Sequence, residues 1–348
     1  MSSYAMFRLP GATECFIVRL PVGGPEKLHS IGALSGKSGF VFAPFCPSEE
    51  YPVLLFATNE ISTLPLPSTE MLQAGETEVV CRDDGRRRYA VDFACFHKEL
   101  VAGNFAKLVL SRCCEVETAV SLSPESLFMR ACNLYPSMFA ALISTPESGT
   151  WLMATPEILV ETVGTEYHTI ALAGTMKGRQ DAADWSLKNR EEQRCVAAYV
   201  RECLKDVAVD ITEQGPRTVR AADLLHLRSD FTFRLNDGLT IGSLLEALHP
   251  TPAVCGLPKD KARRFILSNE RVMRKYYSGF AGITSVCGKT RLYVTLRCMQ
   301  VDGRKCRLYA GGGLLPSSTE QQEWDETEAK MQTMMRCLCA EQNTENDV

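Results

Sequence analysis

The stretch QEWDETEAKMQ, from Gln322 to Gln332, decides how this chain is read. At about 100° per residue, Glu323, Glu326 and Lys330 fall within or at the edge of the arc that Met331, Met334, Met335 and Leu338 occupy, while Asp325 lies opposite. The charges therefore share the face an amphipathic helix buries. A solvated helix laced with ion pairs is the ordinary explanation of such spacing. The alternative is that the carboxylates point inward and hold something. Ser317 and Glu320 have capping-box spacing, which starts the helix about a turn upstream and puts Glu323 and Glu326 near its positive end.

A second helix repeats the pattern. LKNREEQRCVAAYVRECLKDV (187–207) carries an apolar stripe of Val196, Tyr199, Val200, Cys203, Leu204 and Val207. Asn189 and Glu192 project onto that stripe, whereas Arg190 and Glu191 turn away, so the adjacent glutamates are not equivalent. A buried, unpaired carboxylate takes up a proton or finds a partner. Arg or Lys from elsewhere would satisfy the two helices, and so would a cation held between them. Oxygen ligands with no Cys or His nearby in sequence favour a hard ion such as magnesium over zinc.

The rest of the chain bounds the setting. With 348 residues, 38 Lys and Arg against 42 Asp and Glu, and a net charge of -4, it is long enough for a substantial core and lacks the basic face that nucleic acid or an anionic membrane would want. No apolar run has the length of a membrane span, and MSSYAMFRLP lacks the layout of a secretion signal; a cytoplasmic protein with no obligate protein partner is expected. The fifteen cysteines are scattered, with Cys195, Cys203, Cys298 and Cys306 inside apolar patterns, which suits reduced thiols better than disulfides.

Residues 1 to 90 read as a strand-rich part, with FIVRL, FVFAPF and VLLFAT broken by turn residues. GALSGKS (32–38) looks like a phosphate loop but has three residues between its glycines instead of four, and a strand pattern follows it rather than a helix. From about residue 91 to 340, AKLVLSRCCEVE, TWLMATPEILVE, HTIALAGT, RLYVTLRCMQV and CRLYAGGGLL read as strands. Helices are expected to start at SPESLFMRA, DWSLKNREEQ, GLPKDKARRF and SSTEQQEW. Residues 1–348 are expected to form one α+β unit, sheet layered with helices, with a disordered tail at EQNTENDV.

KLVLSR (107–112), TPEILVE (155–161), ALAGTMKGR (171–179), LKNREEQ (187–193), LHPTPAVCGLP (248–258), TLRC (295–298), AGGGLL (310–315) and EWDETEAK (323–330) occur in this order. Together, over roughly residues 90 to 340, they resemble the chorismate-utilising enzymes, the family of anthranilate, aminodeoxychorismate, isochorismate and salicylate synthases. The resemblance implies the family's fold of large antiparallel sheets flanked by helices, the substrate chorismate, and Mg2+ holding its ring carboxylate. By position, Glu192 and Glu326 resemble the direct metal ligands and Glu323 an outer partner acting through water. Lys107 matches the lysine that activates water in the isochorismate and salicylate branches. Glu157 resembles the general acid, Arg297 the arginine that grips the enolpyruvyl carboxylate, and Gly174, Thr175, Tyr277, Gly311 and Lys330 further pocket residues. Position 173 is Ala rather than the attacking lysine of the aminodeoxychorismate branch, so the implied reaction is water addition at C2 with loss of the C4 hydroxyl, giving isochorismate. Menaquinone or siderophore synthesis is the implied pathway, and a salicylate synthase that goes on to eliminate pyruvate is the nearest alternative. His226 and His249 match family positions and read as mainly structural. Asn189 stands where relatives often carry an acid, and Gln193 where they carry His.

Overall fold

The computed structural model describes residues 3–20, 23–57, 61–66, 78–176, 178, 184–221 and 224–339. The tail EQNTENDV, along with Lys177 and Arg179 of the MKGR turn, lies outside the described residues. Long alternating or continuous apolar runs pair throughout as antiparallel strands, here numbered along the chain. One sheet runs β15 (Gly256–Leu257), β8 (Lys107–Thr118), β19 (Lys305–Leu314), β18 (Cys298–Asp302), β10 (Gly149–Thr155), β9 (Phe139–Thr145), β1 (Ser3–Arg8), β2 (Glu14–Leu20), β6 (Ser62–Pro65), with β7 (Val79–Asp83) also on β8. The other runs β13 (Ala208–Ala221), β14 (Leu224–Leu235), β12 (Glu166–Met176), β11 (Ile158–Val163), β17 (Lys289–Val294), β16 (Phe280–Val286), β4 (Gly39–Ala43), β5 (Val53–Phe56), β3 (Glu26–Leu28). Strands from the first 90 residues thus extend both sheets.

An aromatic core fills the space between the sheets: Phe7, Phe139 and Trp151 of the first meet Phe40, Phe42 and Tyr293 of the second. Phe139 stacks on Tyr293 with centroids 4.3 Å apart. Helices cover the outer faces. α3 (Leu187–Val207) and α4 (Ile241–Leu248) pack on the second sheet, and α2 (Pro124–Leu134) and α6 (Glu320–Leu338) on the first. α1 (Arg86–Val101) and α5 (Lys259–Asn269) close the β8 end.

Local rules explain most starts. Ser123 accepts from Ser126 N with Pro124 at the first helical position of α2, and Ser186 caps α3 by accepting from Asn189 N. The capping box expected at Ser317 does not form. Thr319 is the N-cap of α6 without a side-chain cap bond, and the Ser318 hydroxyl instead accepts from Leu315 N.

Two stretches that read as single strands are each two. TWLMATPEILVE leaves the first sheet after Thr155 and enters the second at Ile158, and RLYVTLRCMQV leaves the second after Val294 and enters the first at Cys298. Pro156, which has no N–H for a ladder, sits in the first break, and Arg297 at φ +47° sits in the second. The crossings run side by side, Val294 N donating to Glu157 O at 2.9 Å and Ala154 N to Arg297 O at 3.1 Å. This pair of crossings sets Glu157 and Arg297 between the sheets.

Candidate active site

A narrow cavity opens beside these crossings. Glu157, Gly174, Thr175, Glu192, Tyr277, Arg297, Gly311 and Lys330 all line it, together with His226 and Gly313. Eight of the residues singled out in the sequence therefore meet in one place, although they come from both sheets and from α3 and α6.

Lys107 opens β8 and is fully buried between β15 and β19, so it is no edge-strand solubility lysine. Its Nζ stands 2.9 Å from Glu192 Oε1 but is not aligned for a hydrogen bond to it or to any other described group. It lies one layer behind the lining, against Gly313. A β-carbon there would be 2.1 Å from Glu192 Oε1 and 2.7 Å from Lys107 Cε, so only glycine leaves both groups room.

Glu157 faces the cavity from the first crossing. Burial pushes its carboxyl up to about 7, although Lys107, Lys330 and Arg297 pull the other way. A carboxyl so placed is protonated in a large fraction of molecules at neutral pH.

Arg297 Nη2 donates to His226 Nε2 at 3.3 Å, and His226 Nδ1 then donates to Gly174 O at 3.0 Å. Burial, aided by Arg297 and Lys330, lowers His226 to about 3, so the ring is neutral with its proton on Nδ1. His226, read from the sequence as mainly structural, is thus a lining residue that orients Arg297. His249 is the structural one: buried, lowered to about 4 chiefly by burial, with Nε2 3.2 Å from Phe45 O. Gly174, at φ +76°, forms the bulge of β12 that lets Asn189 of α3 approach.

The carboxylates on α3 and α6 do turn inward, as their helical faces require. Glu323 is fully buried, Glu192 nearly so, and Asp325 exposed. Lys330 Nζ donates to Glu326 Oε1 at 2.7 Å and to Gly311 O at 2.9 Å, and Lys188 Nζ donates to Glu323 Oε1. Burial, reinforced by Glu326, raises the Glu323 carboxyl. Burial acts upward on Glu326 too, but Lys330 and Lys188 outweigh it and hold that carboxyl below the usual range. Lys188 had not been singled out in the sequence; its place four residues before Glu192 was the available signal.

Among the described residues, no group of three or more His, Cys, Asp or Glu side chains gathers closely enough to hold a metal ion. Each carboxylate is instead engaged by a lysine. The donor chemistry still suits a hard cation, because every candidate ligand is a carboxylate oxygen and buried Glu323 Oε2 has no aligned hydrogen-bond partner.

The family described as chorismate binding enzyme matches residues 59–339. The chain belongs to this family. The isochorismate synthase DhbC of Bacillus subtilis (strain 168) is 33% identical over 254 residues, covering 68% of this chain and 64% of that protein. The isochorismate synthase EntC of Escherichia coli (strain K12) is 29% identical over 239 residues, covering 66% and 61%. The chain thus spans somewhat under two thirds of the length of these curated relatives. The structure of MenF, the menaquinone-specific isochorismate synthase from Escherichia coli, superposes with a TM-score of 0.78 at 22% identity over 97% of this chain and 89% of that one. The α+β fold of paired antiparallel sheets is accordingly that of the chorismate-binding family. No helix among the described residues is long and apolar enough to cross a membrane.

Proposed function

We propose that this protein converts chorismate to isochorismate. The observation that carries the reading is a lysine and a raised carboxyl at one cavity, Glu157 and Glu192 lining it and Lys107 standing behind Glu192, near enough that its charge acts on Glu157.

In the reaction, water adds at C2, the ring double bonds shift, and the C4 hydroxyl departs. Lys107, an ammonium beside Glu192 at rest, must first give up a proton; in its neutral amine form it accepts the proton the attacking water loses. Hydroxide is a poor leaving group, and Glu157 supplies the proton that lets it leave as water; the neutral acid needed for this is what burial of Glu157 maintains. The two proton transfers balance, so the product is an isomer of the substrate. Arg297, held by neutral His226, suits the planar enolpyruvyl carboxylate. Glu192, Glu326 and Glu323 are the residues we assign to Mg2+, which when bound would neutralise and seat the ring carboxylate. Menaquinone or siderophore synthesis is the route we assign to the product, menaquinone being preferred.

Purified protein incubated with chorismate and magnesium tests this. Isochorismate supports the proposal, salicylate with pyruvate moves the protein to the salicylate branch, and an amino product on adding ammonia moves it to the anthranilate branch. Unchanged chorismate refutes it.

A further inference from the structure

The lysines of the acidic cage are not equivalent. Three carboxylates, Glu192, Glu323 and Glu326, are matched by three ammonium groups at ion-pair distance: Lys107, Lys188 and Lys330. Lys107 is sealed in the wall at 0% side-chain exposure. Lys330 is tied twice, to Glu326 and to the Gly311 carbonyl. Lys188 has a single hydrogen bond among the described residues, to Glu323 Oε1, while Glu326 and Glu192 also act on its charge. Its side chain is 21% exposed and borders an open cleft that Thr175, Asn189 and Glu326 also line. The other oxygen of the same carboxylate, Glu323 Oε2, is the buried acceptor left without an aligned partner.

A dication seated at that free oxygen would meet an ammonium already bonded to the same carboxylate, in a cage whose charge is balanced without it. Like charges at such range in a partly dry site repel strongly, so one of the ammonium groups must leave. Lys188 is the one with a single anchor and an open path. We propose that Lys188 is a tethered counter-cation that fills the acidic cage and swings into the cleft when a divalent ion binds, so that it weakens and thereby sets the metal affinity of the protein. Neighbouring Asn189 adds no charge to offset it. This inference rests on the magnesium assignment above.

Calorimetric titration of Mg2+ into the chorismate-free protein tests it without reference to activity. Lys188→Met removes the competitor, and Lys188→Gln removes its charge while keeping a donor for Glu323, so that the cage still folds. Both variants are expected to bind Mg2+ about tenfold more tightly than the unaltered protein, a difference of about 1.4 kcal/mol. Their melting temperatures should be lower without metal and rise further on adding it. Equal or weaker binding by the folded Lys188→Gln protein overturns the inference and leaves the magnesium assignment standing, because the unaltered protein still binds. Absence of binding by all three proteins at millimolar Mg2+ overturns both.

Discussion

Replacing Glu157 by Gln should slow the enzyme and stabilise the fold, and the two effects have one cause. A carboxyl moved by burial from its ordinary 4.5 to about 7 carries about 3 kcal/mol of cost in its ionised form, at 1.36 kcal/mol per pH unit. At pH 7 an ordinary glutamate is protonated in roughly one molecule in three hundred, and Glu157 in about half. Because the native state holds the proton more tightly than the unfolded chain, it binds more protons between pH 4.5 and 7. Folding stability therefore falls through that interval, and the full cost is present above pH 7. Glutamine has the same shape and no charge. E157Q should match the parent in melting temperature near pH 4 and exceed it by several degrees at pH 8.5, where it escapes most of that 3 kcal/mol. The same change removes the proton donor and should lower kcat by about 10²–10⁴-fold, while the parent's kcat/KM should fall tenfold per pH unit above about pH 7. Differential scanning calorimetry across pH and initial rates of isochorismate formation read the two effects. A variant no more stable than the parent at pH 8.5 would show that Glu157 is not held protonated by burial. More than a tenth of the parental rate would remove it from the chemistry.

Three further outcomes follow from the geometry. K107M should abolish measurable turnover and, by leaving Glu192 without its ammonium, cost about 3–5 kcal/mol in denaturant unfolding; loss of stability with turnover intact would make the lysine purely structural. In G313A the new methyl would stand 2.1 Å from Glu192 Oε1, so a folded protein at least a hundredfold slower is expected, and normal rates would show that Glu192 and Lys107 need not hold their present positions. His168, on β12, is held between Glu161 and Asp230 at 2.9 Å each; burial acts to lower it, but the two carboxylates outweigh that and raise it above 6.5. Its stabilisation is complete below pH 6.5 and is lost as pH rises through the raised value, so H168Q should show a flatter decline in melting temperature above neutral pH, with an unchanged slope refuting the assignment.

How much of this was legible beforehand depended on how local each signal is. The stripe on LKNREEQRCVAAYVRECLKDV matches α3 residue for residue at its ends, and the outward turn of Arg190, Glu191 and Asp325 holds in the structure. Helices α1 and α4 were not anticipated: α1 begins after Gly85 with no side-chain cap, and α4 is only eight residues long although Thr240 caps it by accepting from Ser243 N. The capping box at Ser317 and Glu320 was the right spacing in the wrong register, because the helix starts two residues later, with Thr319 as N-cap and Glu320 as its first residue. Lys107 is buried rather than exposed at a sheet edge because a two-residue strand, Gly256–Leu257, covers the side of β8 that would otherwise be an edge.

By itself the sequence determined the helix faces, and with them the inward aim of Glu192, Glu323 and Glu326, since a 3.6-residue period depends only on neighbours along the chain. The order of eight motifs identified the family. Where the chain leaves one sheet for the other was a tertiary decision: Pro156 interrupts the ladder after Thr155, but alternation of side chains is the same in either sheet, so nothing local says that the chain changes sheet there or marks Val294 as a last residue. Pairing partners far along the chain chose those points, and by doing so they placed Glu157 and Arg297 in the gap, set His226 against Arg297, and brought Lys107 behind Glu192.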